Sequence, residues 1–365
     1  MRKARVLIVD DSVVIRRMLS DILAQDPQIE VAGIAANGRI ALAKLPQIAP
    51  DLLTLDIEMP ELDGLGTLVE LRKTHPKLPV IMFSTLTERG ATATMDALAR
   101  GASDYVAKPA NVGSVAAGIQ SVKDQLIPKI KALCPFLQAA PVATAPRPTS
   151  ALGSTRATGS SASRPSQRCE VVVIGSSTGG PQALAKVLTN LPSSFTVPIL
   201  VVQHMPPIFT QHLAARLHQD SALEVAEAGD GQVLTPGKVW IARGDYHLEV
   251  ARRGVDIITK LQQGPQENSC RPAVDVLFRS AAQVFGPNCL AVVLTGMGQD
   301  GMRGAEAIVQ AGGAVIAQDE ASSVVWGMPR AVTEAGLARQ VLPLTAIAIE
   351  MQRAVALGRP LALTS

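Results

Sequence analysis

Short runs of aliphatic and β-branched residues alternate with amphipathic stretches along most of this 365-residue chain. That alternation is typical of parallel β-sheets whose faces are covered by helices. It stops between Pro135 and Arg168, where Pro, Ala, Ser, Thr and Gly dominate and no apolar periodicity remains. Such a composition favours a flexible linker. We therefore predict two α/β domains, residues 1–125 and 169–365, joined by a helix end and a flexible linker over residues 126–168.

The two predicted domains differ in the arrangement of their strands. The predicted strands before the linker are Val6–Asp10, Val31–Ala35, Leu52–Asp56, Val80–Phe83 and Tyr105–Ala107. The predicted central strands after the linker are Val171–Ile174, Ile199–Gln203 and Leu290–Thr295. Between residues 224 and 260, three predicted strands lack intervening helices: Val239–Ala242, Tyr246–Val250 and Val255–Thr259. The second domain is therefore predicted to be a doubly wound, mostly parallel α/β domain with a small antiparallel annex.

The composition indicates a cytoplasmic protein without a zinc site. Its four cysteines, Cys134, Cys169, Cys270 and Cys289, are scattered without a CxxC pair, which is typical of reduced thiols. No stretch approaches the ~20 apolar residues that span a bilayer, and strand-like sequence begins too early for a signal peptide. Residues 135–168 contain four arginines and no acidic residue, while the whole chain has a net charge of +3. The rest of the chain therefore has a net charge of 3 − 4 = −1. We expect a monomer that is not membrane-inserted and has no basic surface for nucleic acid.

Three carboxylates fall at the ends of predicted strands in the first domain. Asp10 and Asp11 end the first strand, and Asp56 ends the third. Because the carboxyl ends of parallel strands meet at one edge of a sheet, these side chains are expected to converge. Clustered carboxylates repel one another, and a hard divalent cation with oxygen ligands relieves that repulsion. We therefore predict a Mg²⁺ site at Asp10, Asp11 and Asp56, with Asp56 as the candidate nucleophile toward a phosphoryl donor.

Three further residues lie at the same predicted edge. Ser84 follows the fourth strand, Tyr105 lies on the fifth, and Lys108 ends the fifth strand before Pro109. Lys108 can pair with phosphoryl oxygens as a point charge, and the Ser84 hydroxyl can donate to one of them. Tyr105 could swing with Ser84 and carry the signal outward. Together with the carboxylates, these positions indicate a phosphorylation switch.

Four segments of the first domain form a longer pattern: VDDS at 9–12, DIEMPELDG at 56–64, STLTERG at 84–90 and YVAKP at 105–109. This pattern closely resembles the response-regulator receiver domain. The resemblance implies a flavodoxin-like (βα)5 fold and phosphotransfer from a histidine kinase.

A glycine-rich turn follows the first predicted strand of the second domain. Residues 175–179 read Gly-Ser-Ser-Thr-Gly and fit G-x-S-x-G with Ser177 at the centre. Such a turn lifts a hydroxyl out of the sheet, and the following helix N-terminus offers N–H groups to an oxyanion. A turn of this kind can equally cradle a phosphate or a nucleotide. A nucleotide site needs an acidic ribose contact about 20 residues later, and Thr196–Gln203 offers none.

A histidine and an aspartate complete a candidate catalytic set. His204 immediately follows the strand Ile199–Gln203, so it can lie beside Ser177 as a general base. Asp300 lies between a predicted strand and a helix, where it could hold the His204 tautomer or simply cap the helix. Met297 could supply a further N–H to the oxyanion. The order Ser, His, Asp differs from that of α/β-hydrolases, so the motif does not imply their fold.

Five segments of the second domain also form a longer pattern: IGSSTGGP at 174–181, VVQHMP at 201–206, RPAVDVLF at 271–278, LTGMGQDG at 294–301 and QDEASSVVWGMP at 318–329. They resemble the catalytic domain of the chemotaxis protein-glutamate methylesterases, the CheB family, in which this domain follows a receiver. The resemblance implies Ser177 as nucleophile, His204 as base and Asp300 as the orienting partner. It places Thr178 next to the nucleophile and Met297 at the oxyanion site, and it implies no cofactor in this domain.

The two resemblances together imply a phosphorylation-activated hydrolase. Its expected substrates are glutamate γ-methyl esters on the cytoplasmic helices of methyl-accepting chemoreceptors, with deamidation of receptor glutamine as a second activity. We predict that the unphosphorylated receiver covers the Ser177 crevice and that phosphorylation of Asp56 opens it. A phosphorylation-controlled scaffold with a vestigial triad is the alternative, which the filled triad positions disfavour. A DNA-binding regulator is disfavoured because the second half has no helix-turn-helix pattern and no basic face.

Overall fold

The computed structural model describes residues 2–109, 115–137 and 168–356. Within these ranges the chain forms two α/β units, one before and one after residues 138–167. The predicted flexible linker therefore lies mostly outside the described residues, apart from a helix end and the 3₁₀ helix Pro135–Leu137. None of the helices in the described ranges is both long and apolar enough to cross a bilayer.

The first unit is a five-stranded parallel sheet between two layers of helices. Its strands are β1 (Ala4–Val9), β2 (Ile29–Ala35), β3 (Leu52–Asp56), β4 (Val80–Ser84) and β5 (Asp104–Ala107). Its helices are α1 (Val13–Leu23), α2 (Gly38–Ile48), α3 (Gly64–Thr74), α4 (Glu88–Ala99) and α5 (Val115–Leu133). The strand order is β2-β1-β3-β4-β5, and every pairing is parallel. The expected flavodoxin-like (βα)5 fold is confirmed.

Helix caps fix the loops at the functional edge of this sheet. Ser12 and Asp63 cap α1 and α3 by accepting hydrogen bonds from backbone N–H groups three residues further on. The strands β3 and β4 are buried along their whole length because helices cover both faces. Short capped loops after buried strands hold Asp10 and Asp56 at the edge of the sheet.

The second unit is built on a seven-stranded sheet with an attached hairpin. Its strands are β6 (Val171–Ser176), β7 (Ile199–Gln203), β8 (Glu224–Glu227), β9 (Lys238–Ile241), β10 (His247–Arg253), β11 (Asp256–Gln262), β12 (Cys289–Val293), β13 (Ala314–Gln318) and β14 (Gln340–Leu342). Its helices are α6 (Gly180–Leu188), α7 (Phe209–Asp220), α8 (Val274–Phe285), α9 (Met302–Gln310), α10 (Met328–Glu334) and α11 (Leu344–Ala356). The order β14-β13-β12-β6-β7-β9-β8 is parallel throughout. This confirms the predicted mostly parallel α/β domain.

The predicted annex is wrong in one of its three strands. The segment predicted as Val239–Ala242 forms β9, which pairs in parallel with both β7 and β8 in the main sheet. Only β10 and β11 form an antiparallel hairpin. The prediction failed because the connection from β8 to β9 contains no helix. Its backbone bonds to β11 instead, for example through Gly231 N and Thr259 O at 2.8 Å.

The two units pack against each other along α4 and β5 of the first and α6 and α7 of the second. The rings of Tyr105 on β5 and Phe209 on α7 stack with centroids 4.7 Å apart and planes 6° apart. Both rings are buried within one apolar cluster that includes residues of both units. Arg216 on α7 pairs with Asp96 on α4 at 2.8 Å, and Gln182 on α6 donates to carbonyl groups at the end of α4. The contact therefore combines a buried aromatic pair with polar contacts around it.

Candidate active site

The carboxylates of the first unit converge in a cleft at the ends of β1 and β3. One oxygen from each of Asp10, Asp11 and Asp56 lies within 4.8 Å of the others. Burial, together with the negative charge of Asp10, raises the pKa of Asp56 to about 6 against the opposing effect of Lys108. The Asp56 Oδ2 atom is buried and has no hydrogen-bond partner among the residues that the structure describes. An acidic oxygen cluster with an unsatisfied atom fits a hard divalent cation such as Mg²⁺.

The predicted switch residues surround this cluster in different ways. Lys108 Nζ lies 2.8 Å from Asp56 Oδ1 and 3.1 Å from Asp10 Oδ2. Burial alone would lower the pKa of Lys108, but the two carboxylates outweigh it and raise that pKa. Ser84 is buried, and its hydroxyl donates to the carbonyl of Gly90 at 3.1 Å. Tyr105 faces the second unit through its stacked ring. Of these three residues, Lys108 is the one that pairs with Asp56.

Ser177 lies in the turn between β6 and α6, as the sequence predicted. Gly179 has a φ of +75°, which favours glycine. A Cβ on Gly180 would lie 1.9 Å from the side-chain oxygen of Gln203. That close approach lets the Gln203 amide donate to the Ser177 carbonyl at 2.9 Å and accept from the Ser176 hydroxyl at 2.7 Å. The turn is therefore fixed from beneath, while Ser177 is half-buried and its hydroxyl makes no hydrogen bond to any described residue.

His204 follows β7 at the same edge of the sheet. Its backbone N–H donates to the Ser176 carbonyl at 3.2 Å, and its Nε2 lies 2.7 Å from Asp300 Oδ2. Burial alone would lower the pKa of His204, but the hydrogen bonds with Asp300 and Cys270 raise it to about 10. Asp300 at Nε2 favours the tautomer with its proton on that nitrogen, so Nδ1 carries the lone pair of the neutral ring.

Asp300 is held by more than its histidine. Its Oδ2 accepts from Val274 N at 2.7 Å, and its Oδ1 accepts from Asp275 N at 3.0 Å and from Gly301 N at 2.9 Å. Burial would raise the pKa of Asp300, but His204 and these N–H groups lower it. As a possible role, Asp300 was expected to cap the helix that follows it in the chain. It instead caps α8, whose own N-cap residue, Ala273, has no side chain that can accept a hydrogen bond.

The remaining predicted residues lie beside the Ser177 turn. Thr178 is buried, and its hydroxyl donates to Asp104 Oδ2 of the first unit at 2.5 Å. Met297 lines a groove of about 800 Å³ between the end of α5 and the loops around Trp326. The first unit therefore contacts the residue next to Ser177, while the groove leaves an opening beside Met297.

Two residues that were not expected from the sequence contact the His204–Asp300 pair. Cys270 Sγ lies 3.5 Å from His204 Nδ1, and Asn268 Nδ2 lies 2.9 Å from Asp300 Oδ1. Both belong to the loop before α8, directly ahead of the RPAVDVLF segment at 271–278. The RPAVDVLF segment indicated that this part of the chain belongs to the site. No pattern in the sequence assigned a role to Asn268 or Cys270.

Comparisons with known proteins agree with the two-part architecture. A family model described as CheB methylesterase matches residues 172–351, and one described as response regulator receiver domain matches residues 6–120. A Nocardioides sp. protein-glutamate methylesterase/protein-glutamine glutaminase is 55% identical over 98% of this chain and 96% of its own length. A Trichodesmium erythraeum protein of the same name is 51% identical over 97% of this chain and 100% of its own. The crystal structure of the Thermotoga maritima CheB methylesterase catalytic domain aligns with a TM-score of 0.50 and 46% identity, over 51% of this chain and 98% of that one.

Proposed function

The chain belongs to the CheB family of protein-glutamate methylesterases/glutaminases with a receiver domain, and we propose that it hydrolyses chemoreceptor glutamate γ-methyl esters through Ser177, His204 and Asp300. One observation carries this proposal: His204 Nε2 lies 2.7 Å from the buried Asp300 carboxylate, at the strand edge that also holds the Ser177 turn. A turn that only cradled a phosphate would not need a histidine oriented by a buried carboxylate.

The reaction begins with attack of the Ser177 hydroxyl oxygen on the ester carbonyl carbon. His204 takes the hydroxyl proton at Nδ1, the ring nitrogen that is not bonded to Asp300 and that Cys270 Sγ approaches to 3.5 Å in the structure. The negative charge of Asp300 stabilises the imidazolium that forms. The carbon–methoxy bond then breaks, and His204 returns the proton so that methanol leaves.

The developing oxyanion needs hydrogen-bond donors. Backbone N–H groups at the start of α6 and of Met297 are the candidates. They are supported by the helix N-terminus and by Gly296, the residue before Met297, because a Cβ on Gly296 would lie 2.9 Å from the Ser177 Cβ. Loss of one such donor typically lowers kcat by about 10²- to 10³-fold.

Water completes the cycle by hydrolysing the γ-glutamyl ester on Ser177. His204 takes a proton from the water, the carbonyl–Oγ bond breaks, and Ser177 regains its proton. The same steps with a glutamine side chain release ammonia in place of methanol. Deamidation is therefore the second activity that one site can supply, in keeping with the glutaminase half of the relatives' name.

The receiver is proposed to control this site through Asp56. Asp10, Asp11 and Asp56 would hold Mg²⁺, which supplies charge neutralisation while a histidine kinase donates a phosphoryl group to Asp56. Lys108, which pairs with Asp56 at 2.8 Å, would bind the new phosphoryl oxygens. Ser84 and Tyr105 would rearrange in response.

We infer that the arrangement in the structure is the inhibited one. This is supported by the bond from Thr178, next to the nucleophile, to Asp104 of the receiver at 2.5 Å. Stacking of Tyr105 on Phe209 links that contact to a switch residue. A shift from about 1% to 99% open needs about 5.5 kcal/mol of change in relative free energy. The proposed substrate, a helical surface of the chemoreceptor, enters once the receiver moves.

The proposal is tested by methanol release from methylated chemoreceptor membranes. The wild-type chain, Ser177→Ala and His204→Gln are compared, with Ser176→Ala as a matched control. Ser176 bonds to Gln203, so its loss is expected to lower the rate less than about tenfold. Ser177→Ala and His204→Gln should each remove nearly all activity. Substantial release by Ser177→Ala would exclude it as the nucleophile, and no release by the wild type would leave a receptor-binding scaffold.

A further inference from the structure

The hairpin of β10 and β11 supports a loop that ends in a tight turn, residues 267–270. Glu267 and Cys270 are joined by two backbone hydrogen bonds, of 3.1 and 2.8 Å. The two residues between them, Asn268 and Ser269, have φ values of +51° and +60°. Positive φ at both central positions is the geometry of a type I′ turn, which Asn tolerates well. The turn brings Asn268 to one side of the catalytic pair.

The Asn268 side chain bridges two buried carboxylates. Its Nδ2 donates to Asp300 Oδ1 at 2.9 Å and to Asp275 Oδ2 at 3.0 Å. Asp275 and Asp300 are 1% and 2% exposed. Within the described ranges, no other side chain donates to both. Burial and the charge of Asp300 raise the pKa of Asp275, so the two carboxylates repel each other across this amide.

We propose, on the premise that Asp300 orients His204 as described above, that Asn268 is a positioning residue of the esterase. It donates one amide N–H to Asp300 and the other to Asp275. This keeps the two like charges apart and aims Asp300 Oδ2 at His204. The hairpin, which had no assigned role, thereby supports the site: β10 contributes buried His247, whose ring bonds to Ala273 N at 3.2 Å and to the Pro265 carbonyl at 2.9 Å.

The charged groups around His204 and Asp300 decide in which direction the loss of the Asn268 amide shifts the pKa of His204. The titratable groups facing His204 and Asp300 are Asp275 and Arg279 on α8 and Cys270 on the turn, and Arg279 is paired with Glu267. Removal of the amide leaves the carboxylates less compensated, so the proton on His204 is held more tightly. The neutral base then forms only at higher pH.

The test is the pH profile of methanol release by the full chain, treated with a small phosphodonor and Mg²⁺, on methylated receptor membranes. Asn268→Gly removes the amide and retains a residue that accepts positive φ. We expect kcat to fall by roughly tenfold or more with KM within about twofold, since a hydrogen bond to a charged group is lost. The rising limb of kcat/KM against pH should move to higher pH, and Asn268→Asp, which adds a charge, should move it further.

Ser269→Gly is the matched control. It lies in the same turn, also at positive φ, and its hydroxyl makes no hydrogen bond to a described residue. Its kcat and pH profile should match the wild type. The positioning role would be overturned if the rising limb of kcat/KM against pH in both Asn268 variants matched the wild type. An equal loss of kcat in Ser269→Gly would overturn it as well, because the turn would then serve only to close the loop. If the proposed catalytic role of His204 were itself wrong, His204→Gln would retain activity, and this result separates that failure from a failure of the Asn268 role.

Discussion

The proposed phosphoacceptor cleft and the proposed esterase cleft both lie at the carboxyl ends of parallel strands, but their carboxylates have different surroundings. In the receiver, Asp56 is buried, one of its oxygens has no hydrogen-bond partner within the described ranges, and its pKa is raised to about 6. In the esterase, Asp300 is equally buried but accepts from three backbone N–H groups, an amide and His204, and its pKa is lowered. The first cleft therefore suits the proposed binding of a cation and a phosphoryl group, whereas the donors of the second are already in place.

Two buried aspartates, Asp56 and Asp300, therefore suit different roles because their hydrogen-bond donors differ. A control site must respond to a ligand, so its charges are balanced poorly without that ligand. A catalytic site must not reorganise during the reaction, so its charges are fixed by donors already in place.

The largest effect is expected from Asp300→Asn. The amide can donate to Nε2 and so favours the wrong histidine tautomer, and kcat should fall by about 10⁴-fold. Asp245→Asn is the control, because Asp245 is half-exposed and pairs with Arg271 outside the catalytic pair. Methanol release under activating conditions measures both. Retention of more than about a tenth of the wild-type kcat by Asp300→Asn would show that this carboxylate is not part of the catalytic set.

Asp56→Asn should abolish stimulation by a phosphodonor while leaving the basal rate in place. If the closed state holds all but about 1% of the molecules, the lost stimulation is as large as ~100-fold. Asp21→Asn, on the exposed face of α1, should be stimulated like the wild type. Stimulation that persists in Asp56→Asn would place the phosphoryl group elsewhere.

A smaller effect is expected at the contact between the two units. Asp104→Ala removes the acceptor of the Thr178 hydroxyl and should raise the basal rate by up to about tenfold, the size of one hydrogen bond to a charged group. Asp96→Ala removes one of the two carboxylate partners of Arg216, whose side chain is 36% exposed and keeps its pair with Asp220. This change should raise the basal rate by no more than about threefold. Equal basal rates in Asp104→Ala and the wild type would mean that this bond does not hold the closed state.

The smallest effect concerns stability. The pKa of Asp56 is raised from 3.8 to about 6 in the fold, so the unfolded chain binds fewer protons between these values. The free energy of unfolding should therefore fall, through this group, as the pH rises from about 4 to about 6. Mg²⁺ offsets the ionised carboxylates, so it should raise Tm by a few degrees more at about pH 7.5 than at pH 5. An equal Mg²⁺ effect at both pH values would contradict the raised pKa.

The sequence predicted most of the fold because the strands are strongly marked. Leu52–Asp56 and Ile199–Gln203 are observed with the predicted bounds, since each is a short, mostly aliphatic run that ends in a polar residue. The parallel pairing of β9 was missed because a short strand does not reveal its partner, and the helix expected in a parallel connection is absent there.

The candidate sites were predictable where residues follow strands and were not where they depend on turns or docking. Ser177 and His204 each follow a strand of one sheet, so their common edge could be inferred. Asn268 reaches Asp300 through a type I′ turn 32 positions away in the chain, which no local pattern indicates. The bond from Thr178 to Asp104 depends on how two independently recognisable units meet, and sequence periodicity carries no information about that contact.

The most direct test of the account is methanol release from methylated receptor membranes by the full chain, with and without a small phosphodonor and Mg²⁺. Ser177→Ala is measured in parallel. We predict release that rises by one to two orders of magnitude with the phosphodonor and vanishes in Ser177→Ala. Release that depends on Ser177 but ignores the phosphodonor would contradict the control of one cleft by the other.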